Sequence, residues 1–155
     1  MKNFLIPVLI AFGCASIAGG SNLAPLPSMP GPPAPLTTLR AAAALTNTQA
    51  SEHLPVSFEA TVIYHSRRHK TIDVQDDGTA IYVELANDAN VVPGDRVLVH
   101  GITQPSFLPS IIGASVTLIG HGALPAPVPA TFDDLVRTTL NCRLVKVRGI
   151  IRTLD

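Results

Sequence analysis

Charge is scarce in this chain and neither sign prevails. Of 155 residues, eleven are basic and eleven acidic, so the formal net charge is zero and charged residues make up only 14%. No global field pulls such a protein toward nucleic acid. Cysteine is nearly absent too: Cys14 falls in an export leader, which leaves Cys142 alone and provides no disulfide framework. With no His or Asn pattern nearby to mark a nucleophile, Cys142 is expected as a small buried apolar side chain at the start of a strand. Also missing are a phosphate-cradling glycine loop, a nucleophile elbow and an HExxH pair, so neither catalysis nor a cofactor is expected. The hydrophobic content of 46% is inflated by the leader and by alanines, and the folded part must be smaller than the chain.

What is present begins with a targeting segment over residues 1–20. Lys2 gives a positive start, Phe4 to Phe12 is an apolar run, and Ala15 to Gly20 is rich in small residues. The run is too short for a comfortable permanent span. Three fates are open: cleavage after Ala18, lipidation at Cys14, or an uncleaved helix. Ala11 to Cys14 resembles a bacterial lipoprotein box, although Ala11 stands where Leu is usual and Phe12 is bulky. The expected location is periplasmic or envelope-associated, with membrane proximity through the leader or a lipid on Cys14. Residues 21–36 carry Pro25, Pro27, Pro30, Pro32, Pro33 and Pro35, which remove backbone donors and favour an extended spacer.

Residues 37–53 hold a short helix, Thr37 to Ala50, because Ala41 to Ala44, Leu39 and Leu45 are strong helix formers behind a Thr cap. At Leu54 the period changes to two. Val56, Phe58, Ala60, Val62 and Tyr64 alternate with Ser57, Glu59, Thr61 and Ile63, the pattern of a half-buried strand. Thr71 to Gln75 follows, then an Asp76-Asp77-Gly78 hairpin turn, then Thr79 to Ala86 with Ile81, Val83 and Leu85 on one face. Pro93-Gly94-Asp95 precedes Arg96 to Thr103, and Pro105 to Pro109 precedes Ile111 to Ile119. Five strands over residues 54–120 suit a small closed barrel, since so few cannot cover two sheets. Its expected interior includes Val56, Phe58, Ile72, Ile81 and Val97.

A second Pro-rich tether, residues 121–130, leads to residues 131–155, where the opening pattern returns. Thr131 offers a capping box with Asp134, a helix is expected to Asn141, and a strand from Arg143 to Arg152. Aligned on their strands, Val56, Phe58, Ala60 and Val62 fall on Val145, Val147, Gly149 and Ile151. The repeat predicts the start of a second barrel, as in the front end of a longer tandem-domain protein or a truncated relative of one.

The segments Val56 to Tyr64, Ile72 to Gly78 and Ile81 to Val83, the Pro93-Gly94-Asp95-Arg96-Val97 turn, Gly101 and Phe107-Leu108-Pro109 together resemble a known kind of module. They are similar to the OB-fold modules found outside the membrane in the N-terminal parts of some bacterial two-component sensor histidine kinases and related sensor proteins. The likeness runs from Thr37 to about Asp155. It implies a mainly β, five-stranded OB-like Greek-key barrel with flanking short helices and the start of a second repeat. It implies a sensory or interaction role as well. Any kinase activity would lie in a region absent from this chain.

Candidate site residues sit on two loops and one strand. His65, Arg67, Arg68 and Lys70 form a basic cluster between the first two strands, Phe107 stands between Pro105 and Pro109, and Tyr82 lies on the outer side of the third strand. In an OB-fold such loops flank a face that binds oligonucleotides or oligosaccharides, and aromatic side chains there stack on rings. Against nucleic acid stand Thr71, Asp73, Gln75 and Glu84 on the same face, where carboxylates oppose a phosphate backbone. His65 and His69 are not expected to hold a metal, because Arg67, Arg68 and Lys70 repel a cation. The reading is an exported interaction or sensory input module for an unknown ligand or protein partner. The alternative is an oligonucleotide- or oligosaccharide-binding envelope protein.

Overall fold

Residues 55–66 build one strand long enough to serve two neighbours. In the computed structural model, which describes Gly31 and residues 33–150, this strand, β1 (Pro55–Ser66), pairs through its first half with β4 (Arg96–Gln104) and through its second with β2 (Thr71–Asp76). The handover falls at Thr61, which stands opposite both Arg96 and Gln75. β3 (Thr79–Leu85) pairs with β2 antiparallel and with β5 (Ser110–Gly120) parallel, and β5 returns antiparallel to β4. The result is a closed barrel in the order β1-β2-β3-β5-β4, an OB-like fold. Closure leaves no free sheet edge in the barrel.

The alternating residues fill it. Val56, Phe58, Ala60, Val62, Ile72, Ile81 and Val97 are all buried, Phe58 being the largest side chain at the centre. Alternation then breaks for a physical reason. Val62 faces Val74 and Tyr64 faces Asp73, so Ile63 is an extra residue in β1, a bulge that reverses the in-and-out phase. Tyr64, expected inside, is therefore 55% exposed, while the His65 side chain turns inward. The Asp76-Asp77-Gly78 turn forms as expected, with positive φ at both Asp77 and Gly78.

A second bulge makes the barrel corner. Between the pairs His100 with Ser115 and Ile102 with Ile112, β5 carries one more residue than β4, and Gly113 takes φ +60 there. Opposite it, a Cβ on Gly101 would lie 2.7 Å from Ile111 Cγ2 and 3.0 Å from the Ile112 carbonyl. A side chain at 101 would thus push the strands apart where β5 pairs with β4 on one edge and β3 on the other.

The expected single helix over Thr37 to Ala50 is two: α1 (Leu39–Ala43), capped by Thr38, and α2 (Asn47–Ala50). Thr46 starts a new capping box with Gln49, and that local pairing stops α1 before it. Leu39 and Ala42 seal the barrel from outside.

Residues 121–150 repeat the opening of the first unit in miniature. Leu36 bridges Val56 in parallel just before α1, and β6 (Val128–Pro129) pairs in parallel with β7 (Val145–Lys146) around α3 (Phe132–Val136), whose cap is Thr131 with Asp134. Val56 and Val145 are the positions that the sequence repeat aligns. Two expectations are corrected. The helix ends at Val136 rather than Asn141, with Thr138 at φ +56 just beyond it, and the strand expected over Arg143 to Arg152 is only the two residues of β7 among those described. Its partner β6 is itself two residues long and includes Pro129, which has no N–H to donate. The segment expected to be a leader, Cys14, Pro25 to Pro30, Pro32 and Ile151 to Asp155 lie outside the described residues. Among those described, no helix is long and apolar enough to cross a membrane.

Two stability predictions follow from this geometry. Gly101→Ala should lower stability by about 1–3 kcal/mol through overpacking, whereas Gly120→Ala, with open space around it, should stay within about 0.5 kcal/mol in urea unfolding. Asp95, 2% exposed, accepts a 2.9 Å hydrogen bond from the Val92 amide and lies 2.7 Å from His121 Nδ1. These bonds, the amide's first, hold its carboxyl below the ordinary 3.8. A depressed carboxylate stabilises the fold above its unfolded value and loses that contribution as pH falls through its folded value. Asp95→Asn should therefore melt lower at neutral pH and show a flatter acid limb than the wild type, read as melting temperature against pH.

Candidate functional site

Two of the sequence-selected residues meet on one recess. A cleft of about 390 Å³ opens on the outer side of the barrel, between β3 at Ala80 to Tyr82, the 105–109 loop, Ala43 of α1, and Asn141 and Cys142 from the C-terminal segment. Phe107 is 72% exposed and Tyr82 41%, with Leu108 and Pro109 beside them. The loop is held in place from below. Asn47 in α2 donates from Nδ2 to the Ser106 carbonyl at 2.7 Å, and its Oδ1 faces the Ser106 amide at 3.4 Å. Thr103, fully buried, ties the same region to α2 by donating to the Ala50 carbonyl at 3.0 Å. An aromatic ring on a clamped loop is pre-positioned for contact, so a ligand does not have to order it.

The far wall comes from residues that no sequence signal assigned to the site. The Leu144 amide donates to Gln75 Oε1 at 3.2 Å, Asn141 Nδ2 donates to Cys142 Sγ at 3.4 Å, and the Cys142 thiol lies near the Asp73 carboxylate. This segment lies on the outer face of β2, where Gln75 is only 5% exposed. Burial raises the Asp73 carboxyl, partly offset by the thiol's hydrogen bond. Cys142 is pushed up to about 12, by burial first and then by the charge and hydrogen bond of Asp73. The thiol is therefore a poor nucleophile. Asp73 stands opposite Tyr82 in the β2–β3 register, so the wall's anchor and the aromatic platform share one strand pair.

The basic loop is elsewhere. It closes β1 to β2 at the end of the hairpin where Thr71 faces Glu84, while the cleft lies toward the Gly78 end. His65 is buried there. Its Nδ1 lies 2.9 Å from the Val91 carbonyl, an acceptor, so Nδ1 carries the proton and Nε2 faces Asp88 at 3.4 Å. Arg67 donates to Asn90 Oδ1 at 3.2 Å. Lys70 takes φ +52 and its carbonyl accepts from the Leu85 amide, leaving its ammonium and Arg68 in solvent. The structure thus brings Tyr82 and Phe107 together and places His65, Arg67, Arg68 and Lys70 at the opposite end of β3. A second cleft of about 320 Å³ lies by Asp88, Asn90 and Val91, lined also by Ala114 to Val116, and contains no aromatic side chain. Among the described residues, no group of three His, Cys, Asp or Glu side chains is arranged to hold a metal ion.

No protein-family model matches the chain, and no curated protein is similar to it. Among solved structures, the hypothetical protein ygiW from E. coli is similar at 16% identity, over 56% of this chain and 91% of that one, with a TM-score of 0.44.

The wall's chemistry is checked by alkylation. With the thiol about three units above its ordinary value, Cys142 should react with iodoacetamide at pH 8 about 10²–10³-fold more slowly than a free cysteine. Asp73→Asn should speed it several-fold. Peptide mass spectrometry separates Cys142 from Cys14, and alkylation of Cys142 at the ordinary rate would show the wall to be open.

Proposed function

We propose that the chain is an exported, non-catalytic OB-like module that binds a ligand or partner in the Tyr82–Phe107 cleft and serves as an interaction or sensory input domain. One observation carries this reading: two exposed aromatic side chains converge on a recess whose loop is clamped by Asn47 and whose far wall is pinned by Gln75. Large apolar side chains left open beside convergent polar groups are the usual character of a binding recess. The leader-like residues 1–20 and the Pro-rich spacer support a place outside the cytoplasm. The likeness of the turn and core residues to sensor-kinase modules supports an input role.

A specific observation also bears on the alternative of an oligonucleotide binder. Aromatic platforms suit stacked bases, but the basic loop that would meet the phosphates lies at the other end of β3. Without it the counterion-release term that dominates such binding is small.

The reading is tested by titrating the isotope-labelled mature chain with cellohexaose, tri-galacturonic acid, a proline-rich decapeptide and a short oligothymidylate. Amide shifts should cluster at Tyr82, Phe107, Ser110 and Asn141. Shifts confined to His65 through Lys70 would transfer the site to the basic loop, and silence with every probe would leave the barrel a spacer. Export is checked in parallel by fractionation, with the mature protein expected to begin after Ala18.

A further inference from the structure

We infer that the cleft selects a saccharide bearing a carboxylate, and that Arg143 receives that carboxylate. The inference rests on the binding reading above and adds the chemical class of the ligand. A recess of about 220 Å³ adjoins the aromatic cleft and shares Ala80, Leu108 and Asn141 with it. It is lined by Thr79, Thr138, Thr139 and Arg143, three hydroxyls and a guanidinium. Arg143 is unmatched. None of the ion pairs among the described residues includes it, and its Nε is buried without a hydrogen-bond acceptor. A half-buried cation without an anion is destabilising by itself and is relieved by one supplied from outside.

Arg143 is also placed by its neighbour. The Leu144 amide donates to Gln75 Oε1 at 3.2 Å and ties the next residue to β2. The guanidinium lies over the hairpin turn, where a Cβ on Gly78 would touch its Nη2 at 3.6 Å. A planar guanidinium matches a carboxylate through paired N–H groups better than a lysine ammonium would.

The rest of the lining decides between anions. Tyr82 and Phe107 offer ring faces for the C–H side of a pyranose, and Ser106, Ser110 and Asn141 offer hydroxyl and amide partners. One guanidinium suits one carboxylate on a ring. No lysine lines either recess, and Asp73 and Glu84 stand on the β2–β3 pair on either side of Tyr82, so a chain with a charge at every phosphate meets like charge.

The full chain is titrated calorimetrically at low salt with galactotriose oxidised to the uronic acid at its non-reducing ring alone and with neutral galactotriose. The acidic trimer should bind at least about tenfold more tightly. Arg143→Gln should bring the two within about twofold by weakening the acidic trimer far more than the neutral one, and Arg143→Lys should retain part of the preference. Phe107→Ser should weaken both by about tenfold or more. Melting curves of the variants verify that each folds. Equal affinities in the wild type, an undiminished preference in Arg143→Gln, or tighter binding of a short oligothymidylate would each overturn the inference. Neutral binding that Phe107→Ser abolishes, with no acid preference, overturns this inference and leaves the cleft as a binding site. Failure of both sugars while the decapeptide shifts the cleft amides does the same.

Discussion

The barrel depends on one strand being shared. β1 gives its first seven residues to β4 and its last six to β2, with Thr61 counted in both, and that double pairing converts a five-stranded ribbon into a closed wall. Everything inside follows from it. Val56, Phe58, Ala60 and Val62 project from a strand that β4 holds along its first half and β2 along its second, and Phe58 is fully enclosed. The extra residue at Ile63 is the accommodation that a strand makes when it must curve to meet two partners, and a bulge supplies the additional twist.

The same closure explains why the site sits outside. A small barrel packs its interior with side chains and has no room for a ligand. Recognition is left to the outer surface and the loops. Here the outer surface of β2 and β3 is roofed on one side by a segment from the far end of the chain, and the 105–109 loop stands on the other. The recess is thus assembled from four pieces at least 24 residues apart along the chain, and the closed barrel holds the middle two at a fixed spacing.

Much of the fold was legible because its signals are local. The alternation of β1, the Asp76-Asp77-Gly78 turn, the five strands, the buried Val56, Phe58, Ile72, Ile81 and Val97, and the Thr131 to Asp134 capping box all depend on residues a few positions apart. What was not legible depends on distance or parity. A single bulge turned Tyr64 out and His65 in, and no composition rule locates a bulge in an apolar run such as Val62-Ile63-Tyr64. Thr71 and Gln75 share the face of Tyr82 in the sequence pattern, yet both are buried, and nothing in the neighbourhood of Gln75 announces that the Leu144 amide will donate to it. Of the site, Tyr82 and Phe107 stood out as aromatics on a strand face and a Pro-bounded loop. Asn141, Cys142 and Arg143 were hidden because their role arises only when the chain doubles back.

The segment that forms the far wall is tied to β2 by a hydrogen bond from the Leu144 amide to the Gln75 side chain, and not by a ladder of strand pairing. Its position is thus written in the identity of a few side chains, whereas the floor beneath it is written in the backbone bonds of the cylinder. Substitution at Gln75 can therefore reshape the wall while the barrel keeps its register.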